Sequence, residues 1–276
     1  MKTELKEKIK NSGNNLHLSV VDILENEGWK VDISPYYCDD LTDRPREIDI
    51  LATKRISMFS GSDCKEYFFK AVLCIECKHF TGDINFRVFD NNADVGREVL
   101  LNQNHNLNIA EAFKKARTIF NGHHYLTTQK IARLYEYWKN DQNKNQQEDD
   151  VFKAMTQSVK STIFFMKSED SDVLGSVYYP MVVYDNIDGI YLMQENCPDD
   201  EAYLDSLEPE KNVIFHLKYS YLDYGKENYP RYPTKDFFVD FVHKDELKKF
   251  VADVITEKEC KKILSPILHD THLIKT

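Results

Sequence analysis

The sequence predicts a single α/β domain, on three observations. Apolar residues make up 42 % of the 276 positions, enough to build a buried core and too many for a disordered chain. Segments with apolar residues at helical spacing are mixed along the whole length with short runs that suit strands. Only residues 139–150, which include the polar run DQNKNQQEDD, have the composition of a break, and the simplest reading of that run is a surface loop.

The elements follow in order. Residues 3–10 read as a short charged helix and 11–15 as a breaker. In residues 16–27, Leu16, Val20, Ile23 and Leu24 recur at helical spacing, with Asn15 as N-cap and Gly28 as the residue after the helix. Residues 29–34 alternate like a strand, and 35–45 read as a polar loop. Residues 46–55 form a strand with Ile48 and Ile50 on one face and Asp49 on the other. A turn follows at 60–63. Residues 66–80 are a long apolar strand of the kind covered on both sheet faces.

Residues 81–108, rich in Asn and Asp, read as a long, partly ordered loop, and 109–140 as mainly helical with a break near Gly122. Residues 151–162 suit a helix. Strands are expected at 163–166, 178–184, 189–194, 212–221 and 237–242, and the last feeds a helix at 244–256.

Composition narrows the function. No apolar run approaches the roughly 20 residues that span a bilayer, and the first ten residues lack the apolar stretch of a secretory signal. A cytoplasmic protein without membrane attachment is expected. Six cysteines, at 38, 64, 74, 77, 197 and 260, are too scattered for a disulfide scaffold. The net charge of −10 argues against a general nucleic-acid coat, but a metal site with a local basic patch can serve where the total charge does not. Residues 1–130 hold 18 Lys and Arg against 19 Asp and Glu, and residues 131–276 hold 18 against 27. Phosphate contacts are therefore expected in the first half. The acidic second half could face a protein partner.

The chemistry concentrates at Asp49 and, 27 positions later, Glu76-Cys77-Lys78. Side chains two apart on a strand share a face, so Glu76 and Lys78 project together from an apolar run. That placement is costly without a partner, and a local ion pair at the sheet end is the bland reading. Asp49 changes the weighing. It stands between two isoleucines on what the intervening turn makes a neighbouring strand. Antiparallel pairing would bring the two carboxylates side by side, where they repel unless a cation sits between them. Their hard oxygens suit Mg²⁺ or Mn²⁺, the Cys77 carbonyl is a further candidate ligand, and Lys78 is placed to act on an attacking water.

The ordered set Ser12-Gly13, Leu16-His17-Leu18, Gly28-Trp29, Tyr36-Tyr37, Asp40, Arg46-Glu47-Ile48-Asp49 and Ile75-Glu76-Cys77-Lys78 resembles the PD-(D/E)XK nuclease superfamily, and within it an uncharacterised bacterial and archaeal branch of restriction-endonuclease-like proteins. The resemblance covers residues 11–80. It implies a restriction endonuclease-like core with a mixed central β-sheet flanked by helices, followed by extra helices and strands in the C-terminal half. It also implies metal-dependent phosphodiester hydrolysis of nucleic acid, DNA favoured over RNA, in defence, restriction or repair. Asp49 and Glu76 would be metal ligands and Lys78 would act on the nucleophile. Cutting both strands of a duplex would call for a homodimer. One position departs. Members often carry a Glu on the first core helix, and His17 stands at the matching place. His17 therefore reads equally as a replacement that suits Mn²⁺ better than Mg²⁺ and as a packed helix residue.

Other candidates are weaker. Cys74 and Cys77 have zinc-knuckle spacing, but on a strand they point to opposite faces and no second pair follows, so they read as packing. Tyr37 reads as packing, as does Tyr36, and His123-His124 as surface or capping residues. Glu47 is expected to pair with Arg46 or Arg44. Arg87, Arg97, Lys114, Lys115 and Arg117 read more readily as a solvated face than as a phosphate track. The opposing hypothesis is a catalytically silent module that keeps the nuclease fold and binds nucleic acid or protein.

Overall fold

A computed structural model of the chain describes residues 13–59, 66–103, 122–139, 150–167, 173, 175–185, 187, 189–195, 207–222, 232–253 and 255. It is an α/β structure around a large mixed sheet. Helix α1 (Gly13–Asn26) leads into β1 (Lys30–Ile33), β2 (Tyr36–Asp39), β3 (Arg44–Glu47), β4 (Ile50–Phe59), β5 (Glu66–His79) and β6 (Gly82–Asp90). Then come α2 (Ala93–Asn102), α3 (His124–Thr127), β7 (Lys130–Lys139), α4 (Asp150–Met166), β8 (Gly175–Asp185), β9 (Tyr191–Gln194), β10 (Asn212–Ser220), β11 (Thr234–His243) and α5 (Lys244–Asp253).

Nine strands form one sheet in the order β1-β4-β5-β8-β11-β10-β7-β6-β9, while β2 and β3 make a separate hairpin. β4 and β5 pair antiparallel over ten residues, from Ile50–Ile75 to Phe59–Glu66, as their connection by a turn predicts. β5, β8 and β11 run parallel, so their carboxyl ends share one sheet edge. Strand alternation sorts the core into two layers. On one face Leu16, Val20 and Leu24 of α1 and Leu247 and Val251 of α5 pack with Ile50, Leu73, Ile75, Cys77 and Met181. On the other, Val151, Ala154, Met155 and Val159 of α4 pack with Val182, Tyr184, Val239 and Phe241. Cys74 belongs to that second side, with Val72 and Phe165.

Local chemistry explains the ends of the elements. Gly28 has φ +79°. Its N–H donates to the Glu25 carbonyl and that of Trp29 to Leu24, 3.0 Å each. This is the paired bonding that closes a helix on a left-handed glycine. The helix begins at Gly13, so Asn15 lies inside it and is not its cap.

Several expectations are corrected. Residues 35–45 hold the β2–β3 hairpin, not a plain loop. The Asp39 carboxylate accepts from the backbone of Leu41 and Thr42 at 3.0 and 3.2 Å and from Lys160 on α4 at 2.6 Å, so one buried side chain both shapes the turn and pins it. The strand expected at 46–55 breaks at Ile48-Asp49, where the chain passes from hairpin to sheet. Residues 81–103 form β6 and α2 instead of a loop. Residues 130–139 are strand β7, not helix; Ile131 and Tyr135 supply the β-branched and aromatic contacts of that strand. Residues 163–166 end α4 and are not a strand. The helix expected at 3–10, the turn at 60–63, the polar run at 141–149 and the lysines and arginine at 114–117 lie outside the described residues.

Candidate functional site

The site starts from the way β4 begins. Its pairing with β5 stops at Ile50–Ile75, and the chain preceding it turns away, held by Ser34 N–H on the Asp49 carbonyl at 2.9 Å and Ile48 N–H on the Pro35 carbonyl at 3.2 Å. The next β5 amide therefore has no backbone partner on that side. The Asp49 carboxylate takes it: Oδ2 accepts from the N–H of Cys77 at 2.7 Å. Ladder hydrogen bonds lie in the plane of a sheet, so this carboxylate sits in the gap that β4 vacates, between the side chains of Glu76 and Cys77.

Glu76 and Lys78 project from β5 on the α4 side, 3.0 Å apart. Glu76 is 1 % exposed and its Oε1 has no hydrogen-bond partner among the described residues. Burial and the Asp49 charge push its carboxyl up to about 7. Lys78 is raised despite burial, because the Glu76 charge and hydrogen bond outweigh desolvation. Near neutrality the pair is thus a cationic amine beside a carboxyl that is only partly ionised.

On the opposite side, α1 delivers His17, whose Nε2 lies 3.3 Å from Asp49 Oδ2. The hydrogen bond to Asp49 raises the imidazole against an opposing effect of burial. Burial alone would raise Asp49 in turn, but His17 and the Cys77 amide hold it below the usual carboxylate range. The Cys77 sulfur completes this side: a His17 ring nitrogen, an Asp49 oxygen and Sγ lie within 4.8 Å of one another. Cys77 thus approaches through its thiol and amide, where the sequence suggested its carbonyl. Burial holds that thiol well above its ordinary range, with Asp49 and Glu76 adding to the effect, so the protonated sulfur is a poor ligand.

Charge is what a divalent cation would relieve here. The orphaned Glu76 oxygen and the Asp49 charge beside it destabilise each other, and a cation between them removes both costs. Among the described residues, the donor atoms that lie within 4.8 Å of one another are those of His17, Asp49 and Cys77, and Glu76 is not one of them. His17, Asp49, Glu76, Cys77 and Lys78 are therefore brought together, with Asp49 between a His17–Cys77 side and a Glu76–Lys78 side.

Tyr37 is buried beside this group, its hydroxyl raised by burial and by the Glu76 charge, and that hydroxyl has no hydrogen-bond partner among the described residues. Tyr36 is exposed, and its hydroxyl bonds Glu47. No ion pair from Glu47 to Arg44 or Arg46 occurs among the described residues. Arg97 pairs with Asp94 on its own helix, and Arg87 stands 3.9 Å from Glu136.

Two polar groups have no counterpart in the sequence reasoning. His79 Nδ1 contacts Asp185 Oδ1 at 2.5 Å, and Lys244 Nζ lies 3.9 Å from Oδ2 of the same aspartate. The signal was present: polar residues close two apolar strands at neighbouring ends. Deeper in the sheet, Asp240, 1 % exposed, receives Tyr125 Oη at 2.9 Å and His124 Nε2 at 3.1 Å. His123 caps α3 through Nδ1 on the Tyr125 amide. It is buried, so the capping expectation holds and the surface one does not.

Compared with family models, curated proteins and solved structures, the chain matches none of them.

Proposed function

We propose that this protein is a divalent-metal-dependent nuclease of the PD-(D/E)XK type, hydrolysing phosphodiesters of nucleic acid, with DNA favoured over RNA. One observation carries the reading: the Asp49 carboxylate occupies the gap in the β4–β5 ladder beside a buried Glu76 whose Oε1 is unpartnered. Two acids in that relation repel each other, and a shared cation relieves the repulsion. Asp49 and Glu76 would hold the ion, with His17 at the place of the family's helix Glu. When bound, the ion supplies charge neutralisation on the scissile phosphate and a lowered pKa for its water.

The chain's own residues do the rest. Lys78, cationic and on the same face as Glu76, donates to the attacking water or to the phosphoryl oxygen as charge develops. Glu76, as a ligand, would be held ionised by the ion and would help to orient its water. Asp49 is held in its ionised form by His17 and the Cys77 amide, so its orientation is set before substrate arrives.

The test is cleavage of labelled DNA and RNA, single- and double-stranded, with Mg²⁺ and Mn²⁺ in turn, by wild type and Glu76→Gln. Cleavage of DNA that needs a metal and Glu76 supports the reading, and none by wild type on any substrate overturns it. A second reading, a silent module on the same fold, is favoured by the His17–Asp49 contact, which neutralises Asp49 without any cation. Metal-independent binding of nucleic acid with no cleavage would favour it.

A further inference from the structure

The β2–β3 hairpin stands apart from the main sheet and lies on its α4 side, the side of Glu76 and Lys78. Lys160 of α4 holds Asp39 at 2.6 Å, and the Tyr37 ring meets Phe164 of the same helix with centroids 6.4 Å apart. Cross-strand partners share a face of a hairpin. Tyr37 pairs with Arg46 and Asp39 with Arg44, so one face carries all four side chains. The Tyr37 hydroxyl feels both the Glu76 carboxylate, which raises it, and the Arg46 guanidinium, which lowers it. Arg46 and Glu76 therefore both lie near one buried ring.

The charges of this hairpin are unevenly compensated. On the shared face, Lys160 neutralises Asp39, and Tyr37 carries no charge. Asp40 accepts from the Leu222 amide at 2.7 Å. Asp43 and Glu47 bond Cys38 and Tyr36, which belong to the other face. Arg44 and Arg46 are exposed and make no ion pair among the described residues. Two permanent cations thus remain uncompensated on the face turned toward the reacting group, whatever the pH.

The chain fixes their distance from that group. Arg46 precedes Asp49 by three residues, no more than roughly 10 Å of extended backbone, and Arg44 lies roughly 6.6 Å further back. The second spacing is comparable with the separation of adjacent phosphates along one nucleic-acid strand. Each guanidinium can meet a phosphate through two parallel N–H donors. A strand whose scissile phosphate sits at Asp49 and Glu76 would therefore bring its next phosphates to Arg46 and then to Arg44.

We propose that Arg46 and Arg44 form a track for the backbone phosphates on one side of the scissile bond. The inference rests on the phosphodiesterase reading of the Asp49–Glu76 group. It narrows the substrate to a polynucleotide, because a lone phosphodiester has no neighbouring phosphate for the hairpin to hold.

The test compares a labelled DNA oligonucleotide with bis(p-nitrophenyl) phosphate, a diester without flanking phosphates, both with Mn²⁺. The proteins are wild type, Arg44→Gln, Arg46→Gln, Arg46→Lys and Arg133→Gln, the last a charge control on β7, away from the hairpin. DNA binding is read by fluorescence anisotropy across a salt series. Each hairpin change to Gln should raise KM and Kd for DNA about tenfold, the ratio of one charge-assisted contact. It should also lower the slope of log Kd against log salt by about one phosphate contact. On DNA kcat stays near wild type, as does turnover of the small diester. Arg46→Lys keeps the salt slope, because an ammonium still binds phosphate as a point charge. Arg133→Gln changes neither Kd nor slope.

An equal loss on both substrates would make the arginines part of the scaffold of the reacting group, and an unchanged DNA affinity and salt slope would leave the hairpin without a binding role. Either result overturns the track. Binding of DNA that depends on Arg44 and Arg46, with no cleavage of either substrate by wild type, sinks the nuclease reading and sustains the track. Metal-dependent cleavage with wild-type affinity in both Gln variants does the reverse.

Discussion

The Asp49 carboxylate accepts a 2.7 Å hydrogen bond from the backbone amide of Cys77, and this bond replaces the ladder contact that β4 gives up when it turns toward the β2–β3 hairpin. A side chain thereby fills a backbone vacancy at the sheet edge, immediately beside Glu76. His17 approaches the same oxygen from α1, so three elements far apart in sequence converge on one carboxylate.

Lys78→Met should separate chemistry from metal capture. The amine is lost, and cleavage falls about 10²–10⁴-fold, the usual worth of a positioned proton-transfer group. The two carboxylates remain, so Mn²⁺ affinity stays within a few-fold of wild type. Glu76, left without its 3.0 Å partner, escapes part of the cost by taking up a proton. The loss in urea-measured stability should therefore be about 1–3 kcal/mol, short of the loss for stranding a fixed buried charge. Full activity in this variant would remove Lys78 from the mechanism.

Metal-free stability should fall between about pH 4.5 and about pH 8, as the Glu76 shift dictates. The folded Glu76 carboxyl is raised from 4.5 to about 7, so the folded state holds its proton more tightly than the unfolded chain. That stabilisation, about 3 kcal/mol at full measure, is complete below pH 4.5 and is lost as pH rises through 7. His17, also raised, acts in the same direction above its ordinary 6.5. Asp49, lowered, contributes stability above 3.8 that disappears only in acid. Denaturant melts at pH 6, 7 and 8 should show the fall, Glu76→Gln should flatten most of it, and added Mn²⁺ should stabilise more at pH 8 than at pH 6. A pH-independent melting point across this window would contradict the burial of an ionising Glu76.

His17 decides the metal. If its imidazole is a ligand, His17→Ala lowers Mn²⁺ affinity about 10–100-fold, and His17→Glu shifts preference toward Mg²⁺ by restoring an oxygen donor. Both are read by activity titrated against each ion. Unchanged Mn²⁺ dependence in His17→Ala would leave His17 as a packed helix residue that neutralises Asp49.

Asp240→Ala tests the sheet's buried polar group apart from catalysis. The change removes the 2.9 Å partner of the Tyr125 hydroxyl, which keeps the Phe238 carbonyl at 3.3 Å, and the 3.1 Å partner of a His124 ring nitrogen. A loss of about 1–3 kcal/mol is expected, seen in urea unfolding, with Mn²⁺ affinity unchanged. A neutral result would mean that solvent or other groups already satisfy this cluster.

The central elements were legible because their signals are local. Val20 and Leu24 lie four apart, Gly28 closes the helix, and the apolar run before Glu76 could only be a covered strand. The β4–β5 pairing followed from the short connection between them. Other features depend on contacts between distant residues. Residues 35–45 look like a polar loop until Lys160, more than a hundred positions later, neutralises Asp39 and anchors the hairpin. Residues 163–166, FFM with a preceding Ile, have strand composition, yet the apolar face of α4 extends through Ile163 and sheet packing keeps them helical. In the site, the residue types of the Asp49, Glu76 and Lys78 set were visible, but their division was not. Strand alternation alone would put Asp49 squarely on the Glu76 side. The break at Ile48-Asp49 turns its carboxylate into the sheet plane, where His17 and Cys77 also reach it. His79 and Asp185 are each a single polar residue closing an apolar strand, and only parallel pairing makes them partners.

Calorimetric titration of metal-free protein with Mn²⁺, run on wild type and on Asp49→Ala, tests the shared-cation claim most directly. Saturable binding by wild type, with proton release from Glu76 seen as a buffer-dependent heat, and its loss in Asp49→Ala is the predicted result. No binding by wild type, or equal binding by both proteins, would contradict it.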